Sequence, residues 1–110
     1  MKIDIHAKNI ELNAPLRTFI EEKIGDLEHI LGTMGECSAR VEVAIPSQHH
    51  ASGAIYYTEA NIAVGGQLFR AEANHFDLHS SIVEVKDDLK NQINRFKDKQ
   101  REKERQPSEV

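Results

Sequence analysis

Between Asp77 and Arg105 the sequence reads as one long helix with two unlike halves. Leu78, Ile82, Val85, Leu89, Ile93 and Phe96 recur at intervals of four and three, which lines them along one stripe of a 3.6-residue helix. A stripe of that length has to be buried, so the rest of the chain must supply an apolar surface to receive it. After Phe96 the apolar residues stop. Arg95, Lys97, Lys99, Arg101, Lys103 and Arg105 recur at almost every second position and cover all sides of the helix. Such an end faces water or a polyanion, and charge alone does not separate a solvated tail from a phosphate-binding one.

The receiving surface is legible upstream. Ile55 to Val64 and Gln67 to Asn74 flank Gly65-Gly66, the spacing of a tight hairpin whose two central residues need positive φ. In that register Val64 opposes Gln67, Ile62 opposes Phe69, Ala60 opposes Ala71 and Thr58 opposes Ala73, so small and apolar side chains share one face. Lys2 to Ala7 and Cys37 to Ile45 alternate in the same way and predict two more strands. Pro46 ends the second of these, and Ser47 to Gly53 reads as a polar loop.

Asn13 followed by Ala14-Pro15 is a helix start, with a capping oxygen and an early proline whose missing N–H matters little there. Leu16, Phe19, Ile20, Ile24, Leu27, Ile30 and Leu31 predict a single helix that stops at Gly32. Gly25 lies inside it and weakens it by roughly 1 kcal/mol against alanine. The expected fold is an α+β domain of order β-α-β-β-β-α, a four-stranded sheet with both helices on one face. Lys2, Asp4, His6, Arg40 and Glu42 fall on the other face, with Tyr57, Glu59, Asn61, Arg70 and Glu72.

A chain of 110 residues is sized for one compact domain, here residues 1–100, followed by a charged C-terminal tail at 101–110. Its net charge of −4 is unlike that of most nucleic-acid binders. The charge is unevenly distributed. Residues 1–89 hold 7 Lys or Arg against 14 Asp or Glu, whereas residues 90–105 hold 7 against 3. An acidic body with a basic end can meet phosphate through that end.

Cys37 is the only cysteine, which excludes an intrachain disulfide and a thiolate metal cluster and suits a reducing compartment. No apolar run has the length of a membrane span. A cytoplasmic protein without a membrane partner is expected.

Several stretches resemble the ribosome hibernation-promoting and ribosome-associated inhibitor family, in its short form. Ile10-Glu11-Leu12-Asn13 with Leu16-Arg17, Phe19, Lys23 and Leu27-Glu28 is similar to that family's opening. The run Gly65 to Ala73, then Asp77-Leu78 and Ser80-Ser81-Ile82, is similar to its hairpin and second helix start. Leu89, Gln92, Asn94-Arg95 and Lys97-Asp98-Lys99 are similar to its basic close. The resemblance implies a fold like double-stranded-RNA-binding domains. It also implies docking on the small ribosomal subunit and its rRNA, in the channel of messenger and transfer RNA, so that translation is inhibited by occlusion and ribosomes hibernate under stress. Long members carry a second, dimerising domain, so pairing of ribosomes is expected to need another factor.

On this resemblance Lys23, Lys86, Lys90, Arg95, Lys97 and Lys99 are the candidates for RNA phosphate contact. Family members usually place a basic residue where this chain has Asp26, Asp88 and Asn91, and a tyrosine where it has His79. Lys90 partly stands in for the charge missing at Asn91. The other reading is a divergent RNA-binding or protein-interaction module on the same fold with weakened ribosome affinity.

Other chemistries find little support. His49 and His50, with His75 and His79, lack the ligand spacing of a metal site. No nucleophile stands beside a base, no pair of carboxylates is set for acid–base work, and Gly65-Gly66 leads into a strand rather than a helix. No enzyme activity, cofactor, metal or small-molecule substrate is expected.

Overall fold

The structure, a computed structural model, describes residues 1–32, 34–46 and 55–105. In chain order these form β1 (Lys2–Lys8), α1 (Ala14–Gly25), a short α2 (Glu28–Leu31), β2 (Cys37–Ala44), β3 (Tyr56–Val64), β4 (Gln67–His75) and α3 (Leu78–Arg105). The four strands make one sheet in the order β1-β2-β3-β4. β1 runs parallel to β2, and the other two pairs are antiparallel. A parallel neighbour needs a crossover, which α1 and α2 supply.

The hairpin register is the one its sequence predicts, with Val64 opposite Gln67, Ile62 opposite Phe69, Ala60 opposite Ala71 and Thr58 opposite Ala73. Gly65 and Gly66 take φ of 53° and 80°, the left-handed pair a two-residue turn requires. A Cβ on Gly65 would also collide with the Met34 carbonyl oxygen, so two constraints hold this position to glycine.

Both helical layers cover one face of the sheet. α3 packs on β3 and β4, and α1 packs on β1 and α3. Ile82, Val85, Leu89 and Ile93 of α3 are fully buried, in one core cluster with Val41, Val43, Ala60 and Ile62 of the sheet. Phe96 closes the stripe edge-on to Phe69, with ring centroids 5.8 Å apart. Beyond it α3 continues through Arg105, giving a helix of about 42 Å at 1.5 Å per residue. Its last turns run past the core, and residues 98–104 are exposed.

The helix starts form as expected. Asn13 Oδ1 accepts from the Leu16 N–H at 2.9 Å, and Asp77 Oδ2 accepts from the N–H of Ser80 at 2.9 Å. One expectation needs correction. The single helix predicted up to Gly32 is broken after Gly25, where the Leu27 N–H bonds to Ile24 O at 3.1 Å in the tighter i to i+3 pattern. Nothing lies within 4 Å of a Cβ built at Gly25, so no close backbone approach explains this glycine. Beyond the break Leu27 and Leu31 are both buried in the core. Gly32, at φ 55°, ends α2 as expected.

Among the described residues the interior holds one buried polar pair. Thr58 and Ser81 are fully buried, and their hydroxyl oxygens are 2.7 Å apart. Ser81 donates its single proton to Leu78 O at 2.7 Å, so Thr58 is the donor to Ser81.

Candidate nucleic-acid interface

A helix turns about 100° per residue, so the basic residues of α3 fall on different flanks. Lys86, Lys90 and Lys97, at offsets of four and seven, share the flank facing α1 and α2. Lys86 Nζ lies 3.6 Å from Asp26 Oδ2 at the end of α1. Lys97 Nζ donates to Ile30 O at 2.8 Å and so caps a carbonyl of α2. Lys23, in the last turn of α1, stands on this side with its ammonium 5.5 Å from the Phe19 ring centroid. Phe19 in turn meets His79 edge-on at 4.5 Å. The flank of α3 facing α1 and α2 thus carries Lys86, Lys90 and Lys97, with Lys23 opposite on α1 beside the edge-on Phe19–His79 pair.

Arg95 and Lys99 lie on the other flank. They continue the line of Asp88 and Gln92, and Gln92 Nε2 donates to Arg70 O on the outer edge of β4 at 2.8 Å. The six candidates therefore form two groups, four at the helix seam and two beside β4. Lys90 and Asn91 project about 100° apart, so Lys90 restores a charge near Asn91 without occupying its place. Among the described residues Lys90, Arg95 and Lys99 have no ion-pair partner, while Lys86 and Lys97 are engaged. Those engagements were not legible in the sequence. Lys97 meets Ile30 in α2, the short helix that follows the break, and the Lys86–Asp26 pair depends on how α1 crosses α3.

The opposite face of the sheet carries a polar network. Tyr57 donates its one proton to Glu59 at 2.5 Å, and its oxygen also lies 2.8 Å from Glu72. Arg70 bridges the same two carboxylates at 3.2 and 3.4 Å. The Tyr57 hydrogen bond, followed by those of Asn61 and Arg70, holds the Glu59 carboxyl down at about 2. Burial, and then the two carboxylates, push the Tyr57 phenol well above its ordinary range. Asp77 is lowered by the Ser80 side chain and then by the Ser80 N–H, in keeping with its cap role. Among the described residues no group of three or more His, Cys, Asp or Glu is placed to hold a metal ion. His49 and His50 lie outside the described residues, as does the loop expected at 47–53.

Comparison with known proteins gives the chain its relatives. A ribosome hibernation promotion factor of Lactococcus lactis is 28% identical over 96% of this chain and 54% of its own length. One of Deinococcus radiodurans is 26% identical over 84% of this chain and 47% of its own. The chain spans about half the length of the curated relatives it matches. The crystal structure of the Thermus thermophilus Protein Y N-terminal domain superposes with a TM-score of 0.74 at 26% identity, covering 87% of this chain and 99% of that domain. The family described as Sigma 54 modulation protein / S30EA ribosomal protein matches residues 3–101. That span takes in the whole sheet, the broken first helix and the basic half of α3 as far as Arg101, so this chain belongs to the Sigma 54 modulation protein / S30EA ribosomal protein family.

Proposed function

We propose that this chain is a ribosome-associated translation inhibitor of the hibernation type. In this proposal it binds rRNA of the small subunit in the messenger and transfer RNA channel and acts by occupying space, in the cytoplasm, without catalysis. The observation that carries the reading is the placement of the cations. An otherwise acidic chain concentrates them along α3 and the α1 seam, on a helix whose core stripe is locked into the sheet. A rigid rod of lysines and arginines meets phosphate as fixed point charges and forks, and electrostatics supplies most of such an affinity.

The test is co-sedimentation with ribosomes through a sucrose cushion at rising salt. The wild-type chain should pellet at low salt and be lost steeply as salt rises. Replacing Lys90, Arg95 and Lys99 together with glutamine leaves the engaged Lys86 and Lys97 in place. Each lost phosphate contact should lower the slope of log affinity against log salt by about 0.7 to 0.9. Unchanged binding by this triple variant would overturn the assignment.

A second reading is carried by two acids. Asp26 neutralises Lys86, and Asp88 precedes Arg95 and Lys99 on their flank. Both would weaken rRNA contact, leaving a divergent RNA-binding or protein-interaction module on the same fold. Absence from the ribosomal pellet even at low salt would favour it.

A further inference from the structure

The strand register sets the open face of the sheet into rows. Glu42 pairs with Glu59, and Glu59 pairs with Glu72, so three carboxylates stand directly across from one another on adjacent strands. In the neighbouring row Arg40 pairs with Asn61 and Asn61 with Arg70. Like charges directly opposite destabilise an isolated sheet. Arg70 relieves part of this by bridging Glu59 and Glu72. Among the described residues Arg40 and Glu42 have no ion-pair partner. The same face exposes Leu68, whose side chain is 67% accessible.

We propose that this face packs against the same face of a second copy of the chain, about a two-fold axis lying parallel to the rows and midway between them. Such an axis keeps each strand over its own counterpart and reverses its direction. Arg70 of one copy then lies over Glu72 of the other, Arg40 over Glu42, and Leu68 over Asn74. Across β2 to β4 every close charge pair is of opposite sign and occurs twice, the self-complementarity an isologous contact requires, whereas on the edge strand β1 Lys2 lies over Lys8 of the other copy, a like pair at the rim of the interface. The unpaired Arg40 and Glu42 gain partners, and the Leu68 side chain is covered.

Four strands about 4.8 Å apart and seven residues long present roughly 450 Å² per copy. The total of about 900 Å² falls at the weak, transient end of specific interfaces. The dimer is therefore concentration-dependent. Both helix layers remain on its outside, so the α3 cations stay free and the inference stands independently of the function proposed above.

The test is analytical ultracentrifugation of the full chain over a wide concentration range at low salt, with folding checked by circular dichroism. A reversible dimer is expected. Arg40→Glu with Arg70→Glu, or Glu42→Arg with Glu72→Arg, should each raise its dissociation constant more than tenfold, since like charges facing each other cost several kcal/mol. An equimolar mixture of the two variants should associate again. Leu68→Lys alters an exposed side chain with no hydrogen bond to lose, and it should weaken the dimer even if the charge-reversed variants fold poorly. Glu21→Lys with Glu22→Lys changes net charge on α1, away from the face, and should leave the dimer intact. A monomer at every concentration would overturn the proposal. A dimer indifferent to Leu68→Lys, or one weakened equally by the α1 control, would do the same.

Discussion

Lys97 has two possible employments, and removing it tells them apart. Its ammonium is held 2.8 Å from Ile30 O in a half-buried position, whereas Lys90 is exposed on the same flank with no ion pair among the described residues. A hydrogen bond from a charged donor contributes about 1.5 to 3 kcal/mol. The partial exposure here and the access of water to the freed carbonyl bring Lys97→Met to the bottom of that range or just below it, at about 1 to 1.5 kcal/mol. For a domain of this size, at about 4 to 8 °C per kcal/mol, that lowers the melting temperature by roughly 4 to 12 °C. Lys90→Met, which breaks no contact, should stay within about 0.5 kcal/mol. Urea and thermal unfolding of the two variants give the comparison. In ribosome co-sedimentation Lys90→Met should lower affinity without lowering stability, while Lys97→Met should lower both. Equal stability of the two variants would refute the reasoning, because Lys97 would then be a free surface cation and its bond to Ile30 would contribute nothing.

Three further outcomes follow from the same geometry. Ser81→Ala leaves the buried Thr58 hydroxyl without its acceptor and should cost about 1 to 3 kcal/mol, whereas Thr58→Val leaves Ser81 bonded to Leu78 O and should cost about 1 or less; the reverse order in urea unfolding would contradict the assigned proton direction. Glu59 has a folded value near 2 against an ordinary 4.5, so its contribution is complete above about pH 4.5 and is lost as pH falls toward 2. The stability gap between wild type and Glu59→Gln should close over that window, and solvent screening keeps it to about 1 kcal/mol or less. Asp26→Asn frees Lys86 and should steepen the salt dependence of ribosome binding by about 0.7 to 0.9 in slope, with stability changed by less than about 0.5 kcal/mol.

Local rules were enough for most of the fold. A two-glycine turn between alternating strands admits one register, because slipping by a single residue would turn every apolar side chain outward. Asn13 and Asp77 marked helix starts because their side chains bond to backbone only a few residues away. The stripe from Leu78 to Phe96 required a sheet face to cover it. Residue order alone also showed that positive charge gathers at the end of α3.

What only the tertiary structure decided was how those charges are used. Whether Lys97 is free or bound to Ile30, and whether Lys86 faces solvent or Asp26, both depend on the crossing of elements distant in sequence. The break after Gly25 belongs here too, since a local pattern reads Ile24, Leu27 and Leu31 as one stripe of a continuous helix, whereas the packed chain buries all three with the helix interrupted between them. The rows of glutamate and arginine on the open sheet face arise from pairing across three strands. Periodicity within one strand determines which side a residue faces, but long-range pairing determines which charge stands beside it.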